Sequence, residues 1–248
     1  MAKKKILIAG AGIGGLTAAA SLLRKGFEVQ VFEQAPKLGE IGAGIQQSAN
    51  SVRVLYDLGL KAELEKVAVR PLDYEFRRYD TGEILHTIPF SDVHEKNHGA
   101  PYYHLHRADI HRILADKVLS LDPNCITLNA KATGFTEDAN GVTLKLADGS
   151  SAHGDSWNQV RPWEELKAAY AGWHPKVQAI IDAVDHTQCY RWALNNRAPI
   201  NNWSTARATL LGDAAHPTLP FLAQGAAMAI EDGAVLARAL EGSDSVAD

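Results

Sequence analysis

The stretch KKILIAGAGIGGLTAAASLLRKGFEVQVFE, residues 4–33, decides the fold. It opens with a short apolar run, residues 4–9, of the kind that forms a buried parallel strand. Residues 16–25 are rich in alanine and leucine and precede Gly26, which is typical of a helix with a glycine C-cap. Residues 28–33 then alternate as a second strand. The stretch therefore predicts one βαβ unit and, with it, an α/β fold.

Three glycines stand where this first strand meets the helix. Gly10, Gly12 and Gly15 spell G-x-G-x-x-G: the first allows a tight turn, the second lets the backbone approach a pyrophosphate, and the third lets helix and strand pack closely. Glu33 ends the second strand, where a carboxylate accepts hydrogen bonds from both ribose hydroxyls and repels a 2′-phosphate. The motif predicts FAD or NAD rather than NADP, although a glycine-rich turn also occurs where strand and helix merely pack closely.

Composition narrows the partners. A net charge of −4 gives no electrostatic case for a nucleic-acid partner. The uncharged run at residues 6–23 follows three lysines and superficially resembles a signal peptide or membrane helix, but its glycines fit a strand-to-helix turn, so no membrane partner is expected. Cys125 and Cys189 form no motif, which favours two reduced thiols in a cytoplasmic protein.

A second motif lies near the other end of the sequence. Residues 210–217 read LLGDAAHP and residues 223–226 read AQGA. Together with the first motif, they closely resemble the class A flavoprotein aromatic hydroxylases, in particular the group that acts on salicylate, 3-hydroxybenzoate and 6-hydroxynicotinate. The resemblance implies a Rossmann-like FAD-binding fold of the aromatic hydroxylase type, FAD as the cofactor, NADH as a reductant, and oxidoreductase chemistry of the monooxygenase kind.

The resemblance also implies roles for single residues. Asp213 would bind the ribityl hydroxyls, Pro217 would lie against the isoalloxazine ring, and a helix beginning near Gly225 would direct its positive end at the flavin atoms N1 and O2. Arg107, in the segment LHRAD, would reach the ribose and pyrophosphate, with a solvated arginine as the alternative. The predicted cofactor-binding residues are Gly10, Gly12, Ile13, Gly14, Gly15, Glu33, Gln34, Gly44, Ile45, Arg107, Asp213, Pro217, Gly225 and Ala226.

Two further residues are candidates for catalysis. His216 acts as an acid or base, or only shapes the turn before Pro217. Gln224 contacts flavin or substrate, or only caps the last helix. His104, His106 and His111 have no carboxylate or cysteine at ligand spacing, so no metal site is predicted.

The sequence departs from the family after residue 155, where an apolar strand, a G-A-D-G segment and most of the substrate-binding sheet are expected and do not follow. We therefore predict residues 1–155 as the first part of the FAD-binding domain, residues 156–203 as a small helical remnant of the middle domain, and residues 204–248 as the second part of the FAD-binding domain. The missing strand would expose a sheet edge beside the first strand, where self-association is expected.

These observations favour an FAD-binding protein with little or no coupled hydroxylation, at most an NAD(P)H oxidase. One alternative is a complete FAD-dependent monooxygenase whose middle segment is not shown in this sequence, and which hydroxylates a small phenolic or hydroxylated aromatic acid. Another is an NAD-binding dehydrogenase or a non-catalytic nucleotide-binding module. Outside the motifs, the sequence predicts helices over residues 50–58, 61–67, 108–119, 163–170, 175–183 and 224–240, and strands over 74–79, 83–88, 126–135, 142–146, 190–194 and 209–211.

Overall fold

The computed structural model describes residues 4–39, 43–138, 141–147, 158–192 and 197–243. The predicted boundary between residues 155 and 156 lies outside the described residues, as does the end of the strand predicted over 190–194.

The opening βαβ unit is confirmed. Strand β1 (Lys5–Ala9), helix α1 (Ile13–Arg24) and strand β2 (Glu28–Phe32) follow one another, and the two strands pair in parallel from Lys5↔Glu28 to Ala9↔Phe32. Helix α1 buries its alanine and leucine side chains, which is why the sequence there is so poor in polar residues.

The next elements surround the opening unit. Strand β3 (Gly44–Gln47) precedes the helices α2 (Ala49–Asp57) and α3 (Lys61–Val67). After a hairpin of β4 (Asp73–Arg77) and β5 (Ile84–Pro89) come α4 (Ser91–His98), β6 (Tyr103–His106) and α5 (Arg107–Leu121). Strand β6 returns antiparallel to β3, with Gln46 opposite His104. The short strands β3 and β6 and the polar helix α4 were not predicted.

The remaining elements add a third strand to the sheet and form two further antiparallel strand pairs. Strand β7 (Ile126–Thr127) joins β2 in parallel, which gives the sheet order β1-β2-β7. Strands β8 (Ala132–Glu137) and β9 (Val142–Leu146) form a hairpin. Strands β10 (Asn158–Val160) and β11 (Tyr190–Trp192) pair antiparallel. The helices α6 (Trp163–Ala169) and α7 (Pro175–Ala183) lie between them in the sequence.

The last helix, α8 (Gly225–Glu241), crosses α1 at very short range. A Cβ atom on Gly233 would stand 2.7 Å from the backbone nitrogen of Ala18, so only glycine fits at this crossing. The close approach packs the first helix of the chain against the last and brings Ala229 of α8 beside Gly14 of the glycine-rich turn.

Two strand predictions were wrong. Residues 126–135 do not form one strand, because Asn129 adopts a left-handed conformation with φ of 54° and ends β7. Residues 209–211 do not form a strand, although Thr209 makes an isolated antiparallel bridge to Ser204. Across the part of the chain that the structure describes, no helix is both long and apolar enough to cross a membrane.

Candidate functional site

The glycine-rich turn has the geometry that its motif predicts. Gly10 has φ of +100° and donates its N–H to Phe32 O at 2.8 Å, which closes the turn onto β2. A Cβ atom on Gly15 would stand 2.1 Å from Gly10 O, whereas one on Gly12 would meet nothing within 4 Å. Gly15 is therefore required by the fold, and Gly12 borders open space at the N-terminus of α1.

Glu33 is held against this turn by two backbone amides. Its Oε2 accepts the N–H of Ala11 at 2.7 Å, and its Oε1 accepts the N–H of Ala35 at 2.8 Å. Buried His111 holds the next peptide of the turn, with Nε2 2.8 Å from Ala11 O. A carboxylate has about four lone-pair positions, so two remain for ribose hydroxyls. The sequence offered His111 only as a metal candidate and missed this role.

We expect Glu33→Ala to lower FAD affinity, because the ribose loses charge-assisted hydrogen bonds that contribute about 1.5–3 kcal/mol each. Isothermal titration with FAD measures the loss. FMN lacks the adenosine ribose, so its affinity serves as the internal control and is expected to stay within about twofold. A folded Glu33→Ala protein with wild-type FAD affinity would contradict the ribose assignment.

One large cleft joins the two sequence motifs. Its volume is about 1970 Å³, well above the roughly 300–1,000 Å³ of pockets for drug-sized ligands. The predicted cofactor residues that line it are Gly10, Gly12, Ile13, Gly14, Gly15, Gly44, Ile45, Arg107, Asp213, Gly225 and Ala226. Glu33 lines an adjoining pocket of about 120 Å³ together with Gly12 and His111. Gln34 and Pro217 line neither.

Two of the charged residues that line the cleft are Arg107 and Asp213. Arg107 begins α5, donates its backbone N–H to Ala43 O at 2.8 Å and lines the cleft. Asp213 is exposed in the cleft, with Oδ1 3.8 Å from where a Cβ atom on Gly225 would stand. Asp213 therefore lies beside the N-terminus of α8, which carries no side-chain cap.

The two predicted catalytic residues do not line the cleft. His216 is largely buried and its Nε2 lies 2.6 Å from Asp232 Oδ2 on α8. Gln224 precedes α8 and donates its amide N–H to Ser48 Oγ at 3.2 Å, which ties the start of α8 to the segment after β3. The geometry favours turn shaping for His216. The side chain of Gln224 makes no capping hydrogen bond to α8, so the predicted cap is not formed.

Two polar residues that the site predictions missed do line the cleft. Gln46 and His104 are directly opposite on β3 and β6, so their side chains share one face. Tyr102 donates its hydroxyl to Gln46 Oε1 at 3.0 Å, which leaves the amide nitrogen as the donor of Gln46. Burial lowers the pKa of His104, so its imidazole is neutral near pH 7. Their pairing becomes visible only once β3 and β6 are known.

The cleft continues along the open edge of the sheet. Among the described residues, β1 pairs with β2 alone, and its other edge faces residues 209–211 across the cleft. Leu236 and Leu240 of α8 line this part, as do Phe135 and Leu144 of the β8–β9 hairpin. An apolar slot thus lies beside β1, and the predicted self-association through this edge stays a prediction. Within the described ranges, no group of three or more His, Cys, Asp or Glu residues could hold a metal ion.

Comparison with known proteins covers both sequence motifs that border the cleft. A family model described as an FAD binding domain matches residues 3–154 and 150–242. The chain is 33% identical to the 3-amino-4-hydroxybenzoate 2-monooxygenase PtmB3 of Streptomyces platensis, over 98% of this chain and 81% of the relative. It is 31% identical to the 6-hydroxynicotinate 3-monooxygenase of Pseudomonas fluorescens, over 96% and 82%.

A solved structure agrees on the fold. Klebsiella pneumoniae HpxO, complexed with FAD and uric acid, matches with a TM-score of 0.83 and 24% identity over 98% of this chain and 81% of that one. The alignment to PtmB3 is 324 positions long, 76 more than the 248 residues of this chain. The relative therefore carries additional positions inside the aligned region, and the family model changes from its first to its second match at residues 150–154.

Proposed function

This chain belongs to the FAD-binding class A flavoprotein aromatic hydroxylases, and we propose that it uses FAD, NADH and O2 to hydroxylate a small, hydroxyl-bearing aromatic acid. The observation that carries the proposal is the composition of the cleft. Both FAD motifs border it, and Gln46 and His104 add two polar groups that neither motif uses.

The residues of the cleft fit FAD at both ends. Gly12 leaves open space before the N-terminus of α1 for the pyrophosphate, and Arg107 brings a cation to it. Asp213 offers a carboxylate to the ribityl hydroxyls beside the uncapped start of α8. Bound FAD supplies the electron transfer and oxygen chemistry, while the protein orients the ring and excludes water from it.

Gln46 and His104 suit an aromatic acid as the second ligand. The amide nitrogen of Gln46 can donate to a carboxylate, because Tyr102 holds the oxygen. A neutral His104 can accept the proton of a phenolic hydroxyl. The named substrates of the relatives, 3-amino-4-hydroxybenzoate, 6-hydroxynicotinate and 3-hydroxybenzoate, all carry both groups on a ring. These names favour the monooxygenase alternative over the expectation of an uncoupled protein.

A second candidate function, uncoupled oxidation of NADH, is favoured by the slot beside β1. The relative has at least 76 positions that face a gap in this chain, and the slot is where the sheet lacks a neighbour among the described residues. A cleft open along that side would admit water and O2 to the reduced flavin, and O2 would take up two electrons and two protons and leave as hydrogen peroxide. The same edge would support pairing between two copies of the chain.

A reduced cytoplasmic protein fits the two thiols. Cys125 and Cys189 are both free, and burial raises the pKa of Cys125 to about 11, so this thiol is inert near neutral pH.

One assay separates the candidates. The FAD-loaded protein is given NADH and 3-hydroxybenzoate, 6-hydroxynicotinate or 3-amino-4-hydroxybenzoate, and NADH, O2, peroxide and hydroxylated product are measured. We expect one of the acids to accelerate NADH consumption and to yield product in proportion. Peroxide equal to the NADH consumed with every acid would establish the oxidase, and a colourless protein that does not take up FAD would leave a non-catalytic module.

Two variants test whether Gln46 and His104 contact the aromatic acid. His104→Leu and Gln46→Leu are expected to raise the dissociation constant of the accelerating acid about tenfold or more, through the loss of one hydrogen bond each. His86→Leu, on the exposed β4–β5 hairpin, is the control and should leave both acid and FAD binding unchanged. If both variants bind the acid as the wild type does, Gln46 and His104 do not belong to the substrate site.

A further inference from the structure

A single carboxylate oxygen on α8 holds both ends of the GD turn, residues 212–216. Asp232 Oδ2 accepts the backbone N–H of Gly212 at 2.9 Å and the Nε2–H of His216 at 2.6 Å. Because an ionised carboxylate only accepts, this contact fixes the proton of His216 on Nε2. None of the functions considered above uses Asp232.

The GD turn is closed by its own backbone as well. The N–H groups of Ala215 and His216 both donate to Gly212 O, at 2.8 and 2.9 Å, while Gly212 adopts φ of +58°. On the opposite side, Arg197 Nη2 donates to Ala214 O at 2.6 Å and to Ala215 O at 2.9 Å. The turn is thus a small rigid unit whose orientation depends on what its outer groups are attached to.

Helix α8 carries both Asp232 and the residue that lies beside Asp213. Asp232 lies seven residues after Gly225, which is about two helical turns or 10.5 Å along the axis. Gly225 is the residue beside which the Asp213 carboxylate lies. The helix therefore contacts the GD turn at two points, at its own N-terminus and at Asp232, and Asp213 lies between the two ends of the clamped segment.

We propose that Asp232 is a positioning residue for FAD: by holding Gly212 and His216 on α8, it directs the Asp213 carboxylate at the ribityl chain. The proposal rests on FAD binding by this chain and not on the identity of the aromatic substrate. In this arrangement His216 serves the clamp rather than proton transfer.

The exposure of the Asp232 side chain distinguishes a role in positioning FAD from a role in stabilising the fold. The Asp232 side chain is 30% exposed, so water replaces part of the lost contact when the carboxylate is removed, and the fold loses little. A ligand that needs Asp213 in one orientation loses more, because small displacements of a binding group reduce its contribution strongly. The effect of removing Asp232 should therefore appear in FAD affinity rather than in stability.

The experiment measures FAD and ADP dissociation constants and urea midpoints for Asp232→Ala and Asp232→Asn. ADP lacks the ribityl chain that Asp213 would bind, so it reports on the other end of the cleft, where the glycine-rich turn and Arg107 lie. We expect Asp232→Ala to weaken FAD about tenfold or more and ADP less than about twofold, with Asn in between because its oxygen accepts without the charge. Glu241→Gln, on the same helix as Asp232, is the matched control. It removes an exposed ion pair with Lys25, the residue that follows α1.

A double-mutant cycle tests the route of the effect. If Asp232 acts through Asp213, then Asp232→Ala adds nothing to FAD binding once Asp213→Ala is present. Additive losses would overturn the proposal, as would equal losses for FAD and ADP together with a lowered urea midpoint. Unchanged FAD affinity in a folded Asp232→Ala protein would overturn it too, and since the wild-type protein is titrated alongside, a failure to bind FAD at all is recognised separately.

Discussion

Gly15→Ala is expected to lower the free energy of unfolding by about 3 kcal/mol or more, at the upper end of overpacking effects. The added methyl would stand 2.1 Å from Gly10 O, which is a backbone atom. No rotamer change can relieve that contact, because Gly10 is fixed by its φ of +100° and by its N–H bond to Phe32 O. The strand, the turn and the helix would have to separate, and with them the start of the FAD site.

Gly14→Ala provides the matched control in the same turn of α1. Its methyl would meet Leu211 Cδ2 at 2.7 Å and Ala229 Cβ at 3.2 Å, and the leucine tip can rotate away. Both substitutions gain about 1 kcal/mol of helix propensity, so the difference between their urea midpoints compares the collision with Gly10 O against the milder contacts of Gly14 with Leu211 and Ala229. Equal midpoints for the two variants would show that the turn is not packed as described.

The sequence was sufficient for features that depend on local backbone chemistry. Gly10 and Gly15 could be assigned from their spacing together with the strand, the helix and Glu33 around them, since a tight turn and a close helix–strand contact each exclude a side chain at one position. The GD segment was recognised by its resemblance to the family, and the left-handed φ of Gly212 supplies a physical reason for its glycine. Such constraints act over a few residues and are visible in a single chain.

Features that depend on distant partners were not accessible. Gln46 and His104 became neighbours through the pairing of two four-residue strands, neither of which is rich in β-branched residues. His216 could equally have been a catalytic base until Asp232, sixteen residues later on a helix, was found against its Nε2. The break at Asn129 was missed because the side chains on either side are compatible with one continuous strand.

Gly12→Ala is expected to weaken FAD binding at least about 100-fold, or about 2.7 kcal/mol, while the urea midpoint stays close to that of the wild type. Gly12 has φ of −70° and ψ of 177°, which any residue adopts, and a Cβ atom there meets nothing within 4 Å, so the fold accepts alanine. The methyl would occupy the space through which a pyrophosphate reaches the first N–H groups of α1.

Gly141→Ala, in the β8–β9 hairpin, also adds a methyl to empty space but lies away from the phosphate turn, and it should bind FAD normally. Titration of both variants with FAD and with ADP distinguishes the two kinds of open space, since both ligands carry the pyrophosphate and both should fail together in Gly12→Ala. Wild-type affinity of Gly12→Ala for the two ligands would mean that the phosphates do not approach α1, and the FAD site would have to be placed elsewhere in the cleft.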